Sequence, residues 1–129
     1  MEPITVEIQR SKWLRGDRRK GCLRDENGLQ CCLGFVAVHA GFDSIGDYNE
    51  ISGLCDAKEV HDPPALFSGL VHVTKGEDED GLTYWDVSGT SIETDLILIN
   101  DCEDIDDATR ERQLADRAVQ AGIAFVFVD

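Results

Sequence analysis

An unbroken apolar hexapeptide, Ile123-Ala124-Phe125-Val126-Phe127-Val128, constrains this chain more than any other feature. A strand that alternates apolar and polar residues is half-buried. One that does not alternate is covered on both faces, as in parallel sheets. Parallel neighbours need a long crossover, usually a helix. Residues 107–121 supply one, with Ala108, Leu114, Ala115, Ala118 and Ala121 at helical spacing. Asp106 or Asp107 suits its N-cap, and Gly122 its close. Upstream, Leu96-Ile97-Leu98-Ile99 is apolar at four consecutive positions and reads as a second buried strand over 95–100. Strand, helix, strand predicts a right-handed parallel crossover.

The remaining segments fill in an α+β domain. Residues 4–9, Ile-Thr-Val-Glu-Ile-Gln, alternate as a half-buried strand does. Asn27-Gly28 between residues 21–24 and 29–31 signals a hairpin. Residues 31–40 are almost wholly apolar and precede Gly41, which suits a short buried helix, although their β-branched residues also suit a strand. Residues 43–66 read as irregular, with a short helix at 55–60. Residues 70–74 and 82–87 read as a second hairpin around the charged loop 75–81. At 129 residues the chain is expected to form a single compact domain, 1–129, with a mixed sheet and at least two helices packed on it.

The charge is unusual. The chain has 26 acids and 12 bases, a net charge of -14. Residues 1–30 sum to +2 and residues 31–129 to -16, a basic arm on an acidic body. Such a body repels nucleic acid and anionic membranes, so direct nucleic-acid binding is not expected. Arm and body either attract each other within one fold or present two poles to solvent. The acids concentrate at Glu77, Asp78, Glu79 and Asp80, and at Asp101, Glu103, Asp104, Asp106 and Asp107, both read as loops beside strands. Carboxylates in such runs can imitate a phosphate track and dock on a basic protein surface. Ordinary solubilising charge is the plainer reading. On the docking view, neutralising the 101–107 acids together should cost partner affinity and leave the fold intact.

Catalytic signatures are sparse. Cys31-Cys32 lacks the Cys-x2-4-Cys spacing that lets two sulfurs meet one zinc ion, although Cys22 and His39 are available as further ligands. Cys32 at a helix N-terminus is a candidate nucleophile, with His39, His61 or His72 as its base. The alternative is a pair packed in the core beside Leu33, Phe35 and Val36. Loops starting at Asp78 or Asp101 lack the Gly and Glu of a calcium-binding EF-hand, leaving only a looser divalent site. Phosphate-binding glycine loops and the nucleophile elbow are missing from the sequence. The residues call for no cofactor. No leader and no membrane-spanning run is read, and five cysteines suit free thiols in a reducing cytosol.

Trp13-Leu14-Arg15-Gly16 followed by Cys31-Cys32-Leu33-Gly34-Phe35 resembles a family of small uncharacterised phage and prophage proteins. The later Asn100-Asp101, a helix and an apolar end fit the same order. The resemblance implies a mobile-element setting and cytoplasmic work in a host cell. By analogy with small acidic phage proteins, it implies an inhibitor of a host defence complex, of anti-CRISPR or anti-restriction type. Within the first motif, Trp13 is expected to pack on residues 31–40, Arg15 to pair with an acid of the body, and Gly16 to take a turn conformation. The rival reading makes Trp13 and Arg15 an exposed binding anchor.

Overall fold

The computed structural model describes residues 2–16, 27–40 and 69–129, with backbone alone at 73, 75 and 84–87. The expected strand at 21–24, the irregular stretch 43–66 with its helix at 55–60, Cys22, Cys55 and His61 lie outside the described residues.

The chain is α+β. Strand β1 (Ile4–Gln9) ends in a 3-10 turn at Arg10–Lys12. Helix α1 (Cys32–His39) follows, then strands β2 (Val71–Glu77) and β3 (Thr83–Gly89). Helices α2 (Ser91–Asp101) and α3 (Asp107–Ala118), a second 3-10 turn at Val119–Ala121 and strand β4 (Ile123–Val128) complete it. Residues 31–40 are thus a helix, as their apolar run and following glycine suggest.

The hexapeptide does pair in parallel, but with β1: the register runs from Ile4↔Ile123 to Gln9↔Val128. The expected partner at 95–100 is instead the second half of α2. Thr90 explains why. Its hydroxyl accepts from the Glu93 N–H at 3.3 Å, and Thr90-x-x-Glu93 is a helix-starting signature. Glu93, Leu96 and Asn100 are buried on one helical face, while Leu98, inside the apolar run, is 63% exposed. The spacing of three and four residues is that of a helix face, whereas a strand covered on both faces would have buried Leu98 too. The predicted strand-helix-strand is therefore helix-helix-strand, and the crossover back to β1 spans most of the chain. Among the described residues there are two two-stranded sheets, β1-β4 parallel and β2-β3 antiparallel, rather than one mixed sheet. β4 is also less covered than expected, with Val126 42% exposed on its outer face.

The core joins these pieces. Val6 and Ile8 of β1, Ile123 and Phe125 of β4, Cys32 to Ala37 of α1, Leu96 of α2, and Leu114 and Ala118 of α3 are buried in one cluster. Helix α3 is capped as its sequence suggests: Asp106 accepts from the Thr109 N–H at 2.7 Å, and Gly122 closes the following turn at φ +77°.

Candidate functional site

The two acidic runs sit on different supports. The first lies at the tip of the β2-β3 hairpin. Strand β2 extends through Glu77, so the turn is shorter than the expected loop 75–81. Asp78 builds that turn, its Oδ1 accepting from the Asp80 and Leu82 N–H groups at 2.9 Å each. Glu77, Glu79 and Asp80 are exposed beside it. The second run joins two helices rather than flanking a strand. Asp101 ends α2, and Asp107 begins α3. Glu103, Asp104, Asp106 and Asp107 are exposed, and Asp101 is half-buried.

Several carboxylates of this second run are structural. Asp106 caps α3. Asp107 accepts from Arg15 at 3.0 Å and from Arg110 at 3.4 Å. Asp101 Oδ1 accepts from Asn100 Nδ2 at 3.0 Å. Neutralising all five acids of 101–107 should therefore cost stability as well as any partner affinity, so it does not separate the two. The Thr109 amide and hydroxyl hold the Asp106 carboxyl below the usual carboxylate range, and the Arg15 guanidinium does the same for Asp107. A carboxyl with a lowered folded pKa contributes stability that is present above the unfolded value, about 4, and is lost as pH falls through the folded one. Asp107→Asn should accordingly flatten the acid side of the stability-pH curve, read as melting temperature from pH 6 downward.

The three motifs singled out in the sequence meet at one buried side chain. Asn100 is fully buried. Its Oδ1 accepts from Trp13 Nε1 at 2.8 Å and from the Cys32 N–H at 3.1 Å. Its Nδ2 donates to the Leu14 carbonyl at 3.0 Å. Its own carbonyl accepts from the Gly16 N–H at 2.8 Å. Trp13-Leu14-Arg15-Gly16, Cys31-Cys32 and Asn100-Asp101 are thus parts of one junction. Arg110, 4% exposed, closes it from α3, donating to the carbonyls of Cys102 (2.6 Å) and Ile105 (2.9 Å). Gly16 takes φ +68°, a conformation that favours glycine, and a Cβ there would lie 3.2 Å from Arg110 Nη2, a tight contact. Trp13 is 3% exposed, shares the core with Cys31 to Ala37, and packs against Phe127 with ring centroids 5.0 Å apart and planes tilted by 41°. Arg15 lies 4.5 Å over the Trp13 ring and reaches Asp107.

The arm attracts the body at both described arginines. Besides Arg15, Arg10 grips Glu111 in a bidentate pair at 2.8 and 2.9 Å and reaches Asp129. Arg18, Arg19, Lys20 and Arg24 lie outside the described residues.

Cys32 opens α1, as a dipole-activated nucleophile would, but it is fully buried and its thiol donates to the Leu96 carbonyl. Burial pushes the thiol well above its ordinary range, with Cys31 and Asp101 adding to the rise. Desolvation thus outweighs the helix terminus, and the geometry favours core packing over nucleophilic chemistry. His39 stands exposed at the other end of α1, and His72 is exposed on β2. Thiol titration of the native protein should find Cys32 unreactive until denaturant is added. Rapid labelling of Cys32 at neutral pH would contradict that. Among the described residues, no three His, Cys, Asp or Glu side chains form a metal-holding group. Likewise, no helix there is long and apolar enough to cross a membrane.

An open groove of about 570 Å³ lies beside β1, lined by Thr5, Glu7, Gln9, Lys12, Gln30, Phe35, Val38 and His39. No charge run marks it, and sequence reasoning missed it. Its one readable signal is the polar half of the β1 alternation, Thr5, Glu7 and Gln9.

Comparison with protein-family models, curated proteins and solved structures returned no match.

Proposed function

We propose that the chain is an acidic binding protein that covers the basic surface of a host nucleic-acid-handling complex, acting in the host cytoplasm as a phage anti-defence inhibitor of anti-CRISPR or anti-restriction type does. The observation that carries this reading is the display of charge. Eight of the nine carboxylates in the two runs are exposed, on a body whose net charge is -16 over residues 31–129. Two firm supports, a hydrogen-bonded hairpin tip and a capped helix start, hold them out. A fixed array of like charges meets a basic surface with less ordering cost than a flexible tail does. It also speeds encounter and makes binding depend on salt.

The structure narrows the test to carboxylates that do not support the fold. A variant carrying Gln at 77 and 79 and Asn at 80 and 104 leaves Asp78, Asp101, Glu103, Asp106 and Asp107 in place. It should keep its melting temperature. A pull-down from host lysate identifies the binding complex, whose affinity is then measured across a salt series. Wild-type affinity should fall steeply as salt rises, and the variant should bind at least about tenfold more weakly at low salt with a shallower slope. Equal affinity of variant and wild type would remove the acidic-docking reading.

A further inference from the structure

We propose that the groove beside β1 takes an extended peptide segment of a partner, neutral or basic, as an added strand. The argument starts from the β1-β4 ladder. Ile4 donates its N–H to the Gly122 carbonyl at 2.9 Å, and the register is parallel and unbroken from there. In such a ladder the backbone groups of alternate residues face the neighbouring strand, so Ile4, Val6 and Ile8 serve β4. The N–H and C=O groups of Thr5 and Glu7, and the N–H of Gln9, face the other way, while the Gln9 carbonyl opens the 3-10 turn. Among the described residues, no strand or backbone group pairs with them. These same three residues line the groove.

An open edge is a template for another chain, and proteins ordinarily cover it, shorten it or guard it with charge. Here it lies in a concavity walled by Phe35, Val38 and His39 of α1. Strand edge on one side and apolar helix wall on the other is the arrangement that binds peptides by strand addition. Donors and acceptors repeating every second residue, about 6.6 Å apart, match another extended backbone better than a compact small molecule. Phe35 and Val38 offer a seat for one apolar side chain of the peptide. Charge selects the occupant. Two copies at -14 each repel, whereas a neutral or basic segment is drawn to a chain of that net charge. This surface is separate from the acidic turns, so either proposal can fail without the other.

The test uses the full chain and a yeast-displayed library of random decapeptides. Sequences free of acids and bearing an apolar residue should be enriched. Hydrogen exchange of the free protein should show fast amides at Thr5, Glu7 and Gln9 beside slow ones at Val6 and Ile8. A selected peptide should slow those three amides at least about tenfold. Methylating alternate backbone nitrogens of the peptide should cost about fivefold to tenfold in affinity in one phase and little in the other, with the protein itself unchanged. The proposal is overturned if no sequence is enriched, or if enriched peptides protect the acidic turns instead. A concentration-dependent dimer with those three amides protected would also overturn it, in favour of a second copy.

Discussion

Replacing Asn100 with leucine should lower the stability of the folded chain by about 3 to 5 kcal/mol, read from denaturant or thermal unfolding. Leucine keeps the branched shape but is bulkier, so overpacking adds to the loss of hydrogen bonds. Asn100 Oδ1 takes both Trp13 Nε1 and the Cys32 amide, and Nδ2 serves the Leu14 carbonyl. Trp13 and Cys32 are themselves buried, so their N–H groups find no water when the acceptor is gone. The near-isosteric Asn100→Asp separates shape from chemistry. It keeps the oxygen that accepts from Trp13 and Cys32, replaces the amide that donates to Leu14 and Asp101 by a second oxygen, and so sets a fully buried carboxyl against Asp101. Burial and a like charge both raise its folded pKa. A raised folded pKa means the penalty is absent below the unfolded value, about 4, and grows as pH rises toward the folded one. Asn100→Asp should therefore gain on wild type as pH falls, the reverse of the acid loss expected from Asp106 and Asp107. If Asn100→Asp were as stable as wild type at pH 7, the junction would not depend on the amide.

Much of this frame is legible in the residues, and the failures have physical causes. The alternation of β1, the β2-β3 hairpin and the Asp106 to Gly122 limits of α3 with its following turn are local signals, and each is found, the hairpin with a shorter turn than read. The apolar run at 96–99 is different. Four apolar residues in a row fit a buried strand or a buried helix equally well by period alone. The cap at Thr90 and Glu93 decides for the helix, and it lies outside the run. The parallel partner of β4 lies more than a hundred residues upstream, and nothing local announces so distant a pairing. The acidic runs are obvious from composition, yet their division into structural and displayed carboxylates is not. The Asp106 cap follows from its place before a helical period. The pairing of Asp107 with Arg15 crosses 92 residues and follows only from the fold. Asn100 stands out in sequence as a polar residue ending an apolar run, but its role needs three distant segments brought together.

Trp13→Ala should be as costly as any single change in the chain, about 3 kcal/mol or more. The ring is 3% exposed, packs at a tilt against Phe127 and carries Arg15 over its face. Its removal opens a large cavity, leaves Asn100 Oδ1 with one donor in place of two, and frees the guanidinium that neutralises Asp107. Trp13→Phe tests the parts separately. It keeps an aromatic ring near Phe127 and loses only some volume and the Nε1–H bond, so it should cost less than the alanine variant by about half. A double-mutant cycle between Trp13→Phe and Asn100→Leu should then show clear coupling, because both remove the same 2.8 Å bond. The exposed-anchor reading of Trp13 makes the opposite forecast: an unchanged melting temperature with lost partner binding. That outcome would require the ring to leave the core before it binds. In that case Asn100→Leu, which weakens the hold on the ring, would strengthen partner binding instead of merely destabilising the fold.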